Sequence, residues 1–326
     1  MTTAEILAEF PKLSALVIGD ICLDRWCTYD PGTAEPSRET GIPRVGVVCT
    51  EVTAGAGGTV ANNLVALGAG RVAVLGVAGD DGFGYELAGA LERQGVASER
   101  LIRSPGIQTF TYTKLLNSKT GQEDLPRIDF ISTTPLAPRV ERQVLDALPA
   151  AIDEFDVILI SDQAETSAGG VITPAVRSLF ADLAPNYPEK AFMVDSRARI
   201  ELFRNLPIKP NRQEAEAACW RLFGRVDLQA LRECCRSKFM IVTDGPNGAV
   251  VVEPGREQFC QTKPIPKPVD ICGAGDSFAA GATLALAVTR SPVAAARLGN
   301  LVASITIMKK GTGTASPAEI LAVERA

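Results

Sequence analysis

Five short runs, "SALVIGDI" (14–21), "RVAVLGVAG" (71–79), "DVILISD" (156–162), "KAFMVDS" (190–196) and "FMIVTDG" (239–245), are rich in Val and Ile, and most end in Asp or Gly. Between them lie segments of helical period such as "GYELAGALERQG" and "RQEAEAACWRLFG". Brief, near-continuous apolar runs suit strands buried on both faces, and strands separated by helical stretches pair in parallel through crossover helices. The expected fold is α/β, a three-layer α/β/α sandwich in which strand ends and loops along one edge form the site. The 326 residues suffice for one large domain or two modest ones.

Two segments break the rhythm. Residues 28–52 are rich in Pro, Thr and Val without helical period, and 108–132, "QTFTYTKLLNSKTGQEDLPRIDFIS", alternate apolar and polar residues around a Lys-Thr-Gly turn. They read either as a small antiparallel sheet standing off the main one or as two long surface loops.

Composition removes several chemistries. The chain has no histidine, which excludes imidazole bases, Ser/His/Asp triads and imidazole metal sites. Proton transfer falls to carboxylates, or else to Lys, Tyr or Cys. The eight cysteines form no Cys-x-x-Cys pair and several lie in apolar runs, so reduced, mostly buried thiols are expected rather than a disulfide framework or zinc site. With 33 basic and 38 acidic side chains the formal charge is -5, which gives no bulk reason to bind nucleic acid. Glu5 and Glu9 stand where a secretory signal would be basic and then apolar, and runs such as "FAAGATLALAV" fall short of the ~18 residues needed to cross a bilayer. A cytoplasmic protein without a membrane partner is expected.

The stretch "VDICGAGDSFAAG" (269–281) passes from Pro-rich chain through a small turn into an Ala-rich helix. Amides at a helix start lack partners and carry partial positive charge, and glycines at 273 and 275 allow an anion to approach them. Asp276, beside such a hole, suits a group that accepts a proton from an attacking hydroxyl. The same residues also suit an acid that caps an ordinary helix. No Gly-x-x-x-x-Gly-Lys-Ser/Thr occurs, and neither "GAGGTV" (55–60) nor "GDDGFG" (79–84) meets the dinucleotide pattern.

The chain resembles the ribokinase (PfkB) family of carbohydrate kinases. The likeness runs in order through "IGDICLDRW", "AGAGGTVANNLVALGA", "GVAGDDGFG", "KPNRQEAE", "VTDGPNGAVV", the Gly-Ala-Gly-Asp turn and "KKGTGTASP". Within the family, Gly19-Asp20 with Asp24-Arg25, Lys114-Leu115, Arg127 with Asp129 and the Gly-Thr ending resemble the heptose 7-phosphate kinase module of ADP-heptose synthase. The resemblance implies a ribokinase-like sandwich with nucleotide and substrate bound by residues 1–27, 53–107 and 133–326, under a lid of 28–52 and 108–132. It implies an ATP-dependent kinase for a sugar or sugar phosphate, using Mg²⁺. If the apolar faces of the lid strands pair across a two-fold axis, the protein is a homodimer.

Carried over by position, Asp276 would be the base and Gly273, Ala274 and Gly275 the anion hole. Asp24, Arg25, Gly55, Gly57, Thr59, Asn63, Lys114 and Arg127 would meet the acceptor. Asn211, Thr243, Gly245, Gly248 and Asn300 would line ATP, with Glu214 on Mg²⁺ through water. Asp270, Gly311 and Ser316 match the region where many members hold a monovalent cation such as K⁺, although Cys272 stands at a position that is often Thr.

Other departures narrow the substrate. Thr59 stands where the family commonly has Asn, and Gln163 and Glu165 replace the Tyr and Lys of the heptose kinases. "PSRETGIPRV" adds Arg38 and Arg44, which would either greet a phosphorylated sugar or face solvent. Isolated from the resemblance, Asp24 with Arg25 reads as a loop ion pair, Asn211 with Glu214 as a helix cap, and Lys114 and Arg127 as solvated strand charges. The rival functions are a nucleoside kinase of the same fold and a sugar or nucleotide sensor without catalysis.

Overall fold

Five strands of near-continuous Val, Ile and Leu form a parallel sheet in the computed structural model, which describes residues 1–325 apart from 165, 167 and 264. In chain order the strands are β1 (Ser14–Gly19), β2 (Ile21–Tyr29), β3 (Val47–Ala56), β4 (Arg71–Gly79), β5 (Ala97–Ser104) and β6 (Thr111–Asn117). They continue with β7 (Ile128–Phe130), β8 (Val157–Asp162), β9 (Ala191–Ser196), β10 (Met240–Thr243), β11 (Ala249–Glu253) and β12 (Arg256–Cys260). The helices are α1 (Thr3–Glu9), α2 (Gly57–Ala66), α3 (Gly82–Arg93), α4 (Pro138–Glu154) and α5 (Pro174–Leu183). The remainder are α6 (Arg212–Phe223), α7 (Leu228–Cys234), α8 (Ala274–Thr289), α9 (Pro292–Thr306) and α10 (Pro317–Arg325).

The parallel sheet has the order β5-β4-β1-β8-β9. Ile208 bridges in parallel to Val194 and to Met240, so the sheet runs on into the antiparallel strands β10-β11-β12. Side-chain alternation divides the core. Ala15 and Val17 of β1 pack with α2, α8 and α9 on one face, whereas Leu16 and Ile18 pack with α4, α5, α6 and α7 on the other. Burial on both faces explains why these strands read as apolar runs. The chain passes outward from β1 through β4 to β5, then returns on the opposite side of β1 through β8 and β9. That reversal opens a crevice at the carboxyl ends of β1 and β8.

A second sheet has the order β3-β2-β6-β7. Expected to be antiparallel, it is so at the β2–β3 and β6–β7 pairings, but β2 and β6 run parallel because β6 arrives by a crossover through β4, α3 and β5. Residues 21–27 and 53–56, assigned from sequence to the α/β body, are hydrogen-bonded within this smaller sheet. Most of 30–46 is irregular, with one bridge between Pro36 and Pro43.

Gly19 is the joint between the sheets. Its φ is +135°, and an added Cβ would lie 2.1 Å from the Ser161 carbonyl oxygen. The Asp20 amide donates to that same oxygen at 2.9 Å. None of the eight cysteines is in a disulfide, and all but the exposed Cys49 are buried or half-buried. No described helix is long and apolar enough to cross a membrane.

The clash at Gly19 is with backbone, which cannot swing aside. Gly19→Ala should therefore cost roughly 2–4 kcal/mol, by strain and displacement of β8. A thermal melt should show Tm lowered by about 5 °C or more. A melt matching wild type would refute this account of the joint.

Candidate active site

Helix α8 is apolar on nearly every side, and Ser277 through Leu286 are buried, so its start is held firmly inside the protein. Its cap, Gly273, has φ +75° in the left-handed region, where glycine is favoured. Among the described residues the amides of Gly273 and Gly275 have no hydrogen-bond acceptor. Ala274, expected as a third donor, instead gives its N–H to the Ile271 carbonyl at 3.2 Å, closing the turn that leads into the helix. Of the three amides expected to receive an anion, two are therefore without an acceptor.

Asp276 lies in the first turn of α8 and at the meeting point of two cavities. The larger, about 590 Å³, is lined by Asn211, Glu214, Thr243, Gly245, Gly248 and Asn300, all the residues expected around ATP, with Ile265, Ile271, Phe278 and Ile307 as an apolar wall. The smaller, about 160 Å³, is lined by Asp24, Arg25, Thr59, Lys114 and Arg127 together with Trp26, Tyr112 and Thr312. Asp276, Gly273, Gln163 and Arg197 line both. Burial pushes the Asp276 carboxyl up to about 7, Asp195 and Asp24 add to the rise, and Lys209 and Arg197 oppose it.

In the smaller cavity Asp24 projects from β2, raised to about 6 mainly by burial, with Lys114 opposing. Gly55 provides the room: a Cβ there would lie 2.5 Å from the Asp24 carboxyl. Of the four cations that line this cavity, three lie over an aromatic ring: Arg25 on Phe83 at 4.7 Å, Lys114 on Trp26 at 4.3 Å and Arg127 on Tyr112 at 4.6 Å. Arg25 also pairs with Glu86 at 3.1 Å and Arg127 with Asp129 at 2.6 Å.

Several expected contacts are otherwise occupied. The Gly57 amide donates to the Asp20 carbonyl at 2.9 Å, holding β1 to α2, and Gly57 faces neither cavity. Asn63 is buried, and its side-chain amide donates to the Thr59 carbonyl at 2.9 Å, within its own helix. Asn211 and Glu214 form a reciprocal capping box on α6, at 2.8 and 2.7 Å, although both still face the larger cavity. Asn300 donates to the Cys260 carbonyl at 2.8 Å. Asp270 accepts from the amides of Cys272 and Gly311 at 2.9 and 3.1 Å, and so ties the two loops expected to hold a monovalent cation. Ser316 is bound to Glu319 through both amide and hydroxyl and caps α10. Arg38 and Arg44 are exposed, Arg44 pairing with Glu35, and neither lines the cavities. Glu165 lies outside the described residues.

The site also holds residues that had been assigned no role. Asp195 is the penultimate residue of β9, and Lys209, preceding α6, lies 3.0 Å from it with both side chains largely buried. Arg197 and Gln163 follow the ends of β9 and β8, and Asp20 fixes the Gln163 backbone by accepting its amide at 2.8 Å. The visible signal was an acid near the end of the strand "KAFMVDS" and a lysine set in the otherwise apolar run "LPIKP".

Comparison with known proteins agrees with this geometry. The family model described as pfkB family carbohydrate kinase matches residues 14–319. Among similar curated proteins, the bifunctional protein HldE of Trichlorobacter lovleyi is 32% identical over 321 residues, covering 95% of this chain and 62% of that protein. The HldE of Pelobacter propionicus is 33% identical, covering 94% and 62%. The chain therefore spans about three-fifths of the length of these relatives. Among solved structures, phosphofructokinase-2 from Escherichia coli in complex with potassium superposes with a TM-score of 0.73 at 19% identity, covering 96% of this chain and 98% of that one. Ribokinase from Thermotoga maritima superposes with 0.70 at 20% identity, covering 96% and 100%. The chain belongs to the pfkB family of carbohydrate kinases, phosphotransferases with an alcohol group as acceptor.

Proposed function

We propose that this chain transfers the γ-phosphoryl group of ATP to a hydroxyl of a sugar or sugar phosphate, with Asp276 as general base. One observation carries the reading: Asp276 is shared by a large cavity with an apolar wall and a small polar one, beside two amides without acceptors. ATP in the large cavity would direct its phosphates toward Gly273 and Gly275, and an acceptor in the small one would present its hydroxyl to Asp276. Asp24 would receive sugar hydroxyls. Arg25, Lys114 and Arg127 favour an acceptor that itself bears a phosphate, which agrees with the resemblance to heptose 7-phosphate kinases.

The Glu214 oxygen not used by the capping box has no protein hydrogen bond among the described residues, and the residue lines the large cavity. A hard carboxylate oxygen reached through water suits Mg²⁺, which would supply neutralisation of the phosphate charge. The chain's own residues do the rest. The free amides hold charge on the moving group, the cavity walls align acceptor and donor, and Asp276 takes the proton. Each Asp270 oxygen accepts one amide and keeps a lone pair, so a monovalent cation there would draw on that carboxylate together with main-chain carbonyls.

The smaller sheet also suits a homodimer. Strand β3 is an edge, and Ile42, Val45, Val47, Val48, Ile128 and Ile131 are exposed on the sheet and its adjoining loops. Pairing of these apolar edges across a two-fold axis would cover them.

Asp276→Asn should lower kcat by about 10³-fold or more while leaving ATP affinity within a few-fold, measured by coupled assay and calorimetry. Turnover within tenfold of wild type would exclude the base role.

Because Asp276 must be ionised to act, kcat/KM should fall below an inflection near pH 7. Stability carries the opposite sign. A carboxyl raised in the folded state stabilises the fold below the unfolded pKa of 3.8, and that contribution is lost as pH rises through about 7. Asp276→Asn should thus melt above wild type at pH 8 and close to it at pH 4. Equal offsets at both pH values would contradict the shift.

Light scattering should give twice the 34.4 kDa chain mass, and Val48→Lys should reduce it to one. A concentration-independent monomer for wild type would exclude the dimer.

A further inference from the structure

Lys209 is a buried cation to which the reaction above assigns no task. It is 2% exposed and follows the bridge residue Ile208. Its backbone is already fixed, because its amide donates to the Val194 carbonyl at 2.8 Å. The ammonium lies 3.0 Å from an Asp195 carboxylate oxygen, its only hydrogen-bond partner among the described residues. An ammonium carries three N–H donors, and burying donors without acceptors is unfavourable. The side chain lines the larger cavity together with Gly273, Gly275 and Asp276. Its Nζ is 3.7 Å from where a Cβ on Gly275 would stand. A charged group with spare donors therefore stands beside Gly275, in the cavity that both free-amide glycines line.

We propose that Lys209 is a further catalytic residue whose ammonium donates to an oxygen of the phosphoryl group in transit. The proposal rests on the kinase reading. In the step, the acceptor oxygen forms a bond to the γ-phosphorus, the bond from that phosphorus to the bridging oxygen breaks, its electron pair leaves with ADP, and the hydroxyl proton passes to Asp276. Lys209 transfers no proton. It holds the charge on the equatorial oxygens, where a fixed donor in a poorly solvated site acts most strongly. Burial works against its charge, but Asp195, Glu214 and Asp276 outweigh burial and keep it an ammonium. Asp195 holds it in place.

Lys209→Met, Lys209→Gln and Lys209→Arg test this with ATP and a sugar that wild type phosphorylates. The Met and Gln variants should lose about 10²–10³-fold in kcat with both KM values within about threefold, and Arg should recover at least tenfold of that loss. Binding of ADP with aluminium fluoride and the sugar, a mimic of the transferring group, should weaken at least thirtyfold in Gln while ADP alone binds as before. If Met fails to fold, Gln decides by the same criteria. A folded neutral variant with kcat within threefold of wild type, or with unchanged aluminium fluoride binding, overturns the proposal and leaves the kinase reading intact. Wild type inert toward every sugar would overturn both.

Discussion

One ammonium among three carboxylates governs this site. Lys209 pairs with Asp195 at 3.0 Å and lies in the field of Glu214 and Asp276. Asp276 is raised most by its own burial, and Asp195 and Asp24 add to the rise. The helix dipole favours an acid in the first turn, but by only about 0.3–1 kcal/mol. The rise from 3.8 to about 7 corresponds to ~4 kcal/mol in the other direction, so burial and like charge prevail. A carboxylate with that affinity for protons suits base catalysis near neutrality, where an ordinary Asp would be a weak acceptor.

The fold supplies each member of the cluster from a different element. Asp195 is the penultimate residue of β9, Lys209 follows the single-residue bridge at Ile208 and Glu214 sits in the first turn of α6. Asp276 opens α8, a helix too apolar to leave the core. Asp24 arrives by another route. The chain leaves β1 at Gly19, where the Ser161 carbonyl permits no side chain, and enters β2 of the smaller sheet, which carries Asp24 and other walls of the smaller cavity. Both halves are thus anchored on β1.

Much of the fold was legible because buried parallel strands impose unbroken apolar runs. The five runs correspond to β1, β4, β8, β9 and β10 within a residue or two at most ends. The smaller sheet was less legible, since "ICLDRWCTY" follows "SALVIG" after one residue and looks like its continuation. The Gly-Ala-Gly-Asp turn was legible because glycine and helix-start chemistry are local, and the residues expected around ATP do line one cavity. Contacts that depend on distant partners were hidden. The Ser316–Glu319 cap could have been found from its Ser-x-x-Glu spacing before an apolar run, whereas Gly57 is claimed by Asp20, far back in the chain, and nothing local announces it. Lys209 was missed for the same reason: its weight comes from Asp195, fourteen positions earlier, across a strand-to-strand contact.

The most direct measurement is the titration of Asp276 itself. Carbon-13 labelling of aspartate side chains, with Asp276→Asn for assignment, would follow its carboxyl resonance from pH 4 to pH 9 in the ligand-free protein. The account predicts an inflection close to 7, coupled to weaker movements at Asp24. An inflection near 4, the value of an exposed aspartate, would show that the charge cluster does not tune this residue and would remove the physical basis for its role as base.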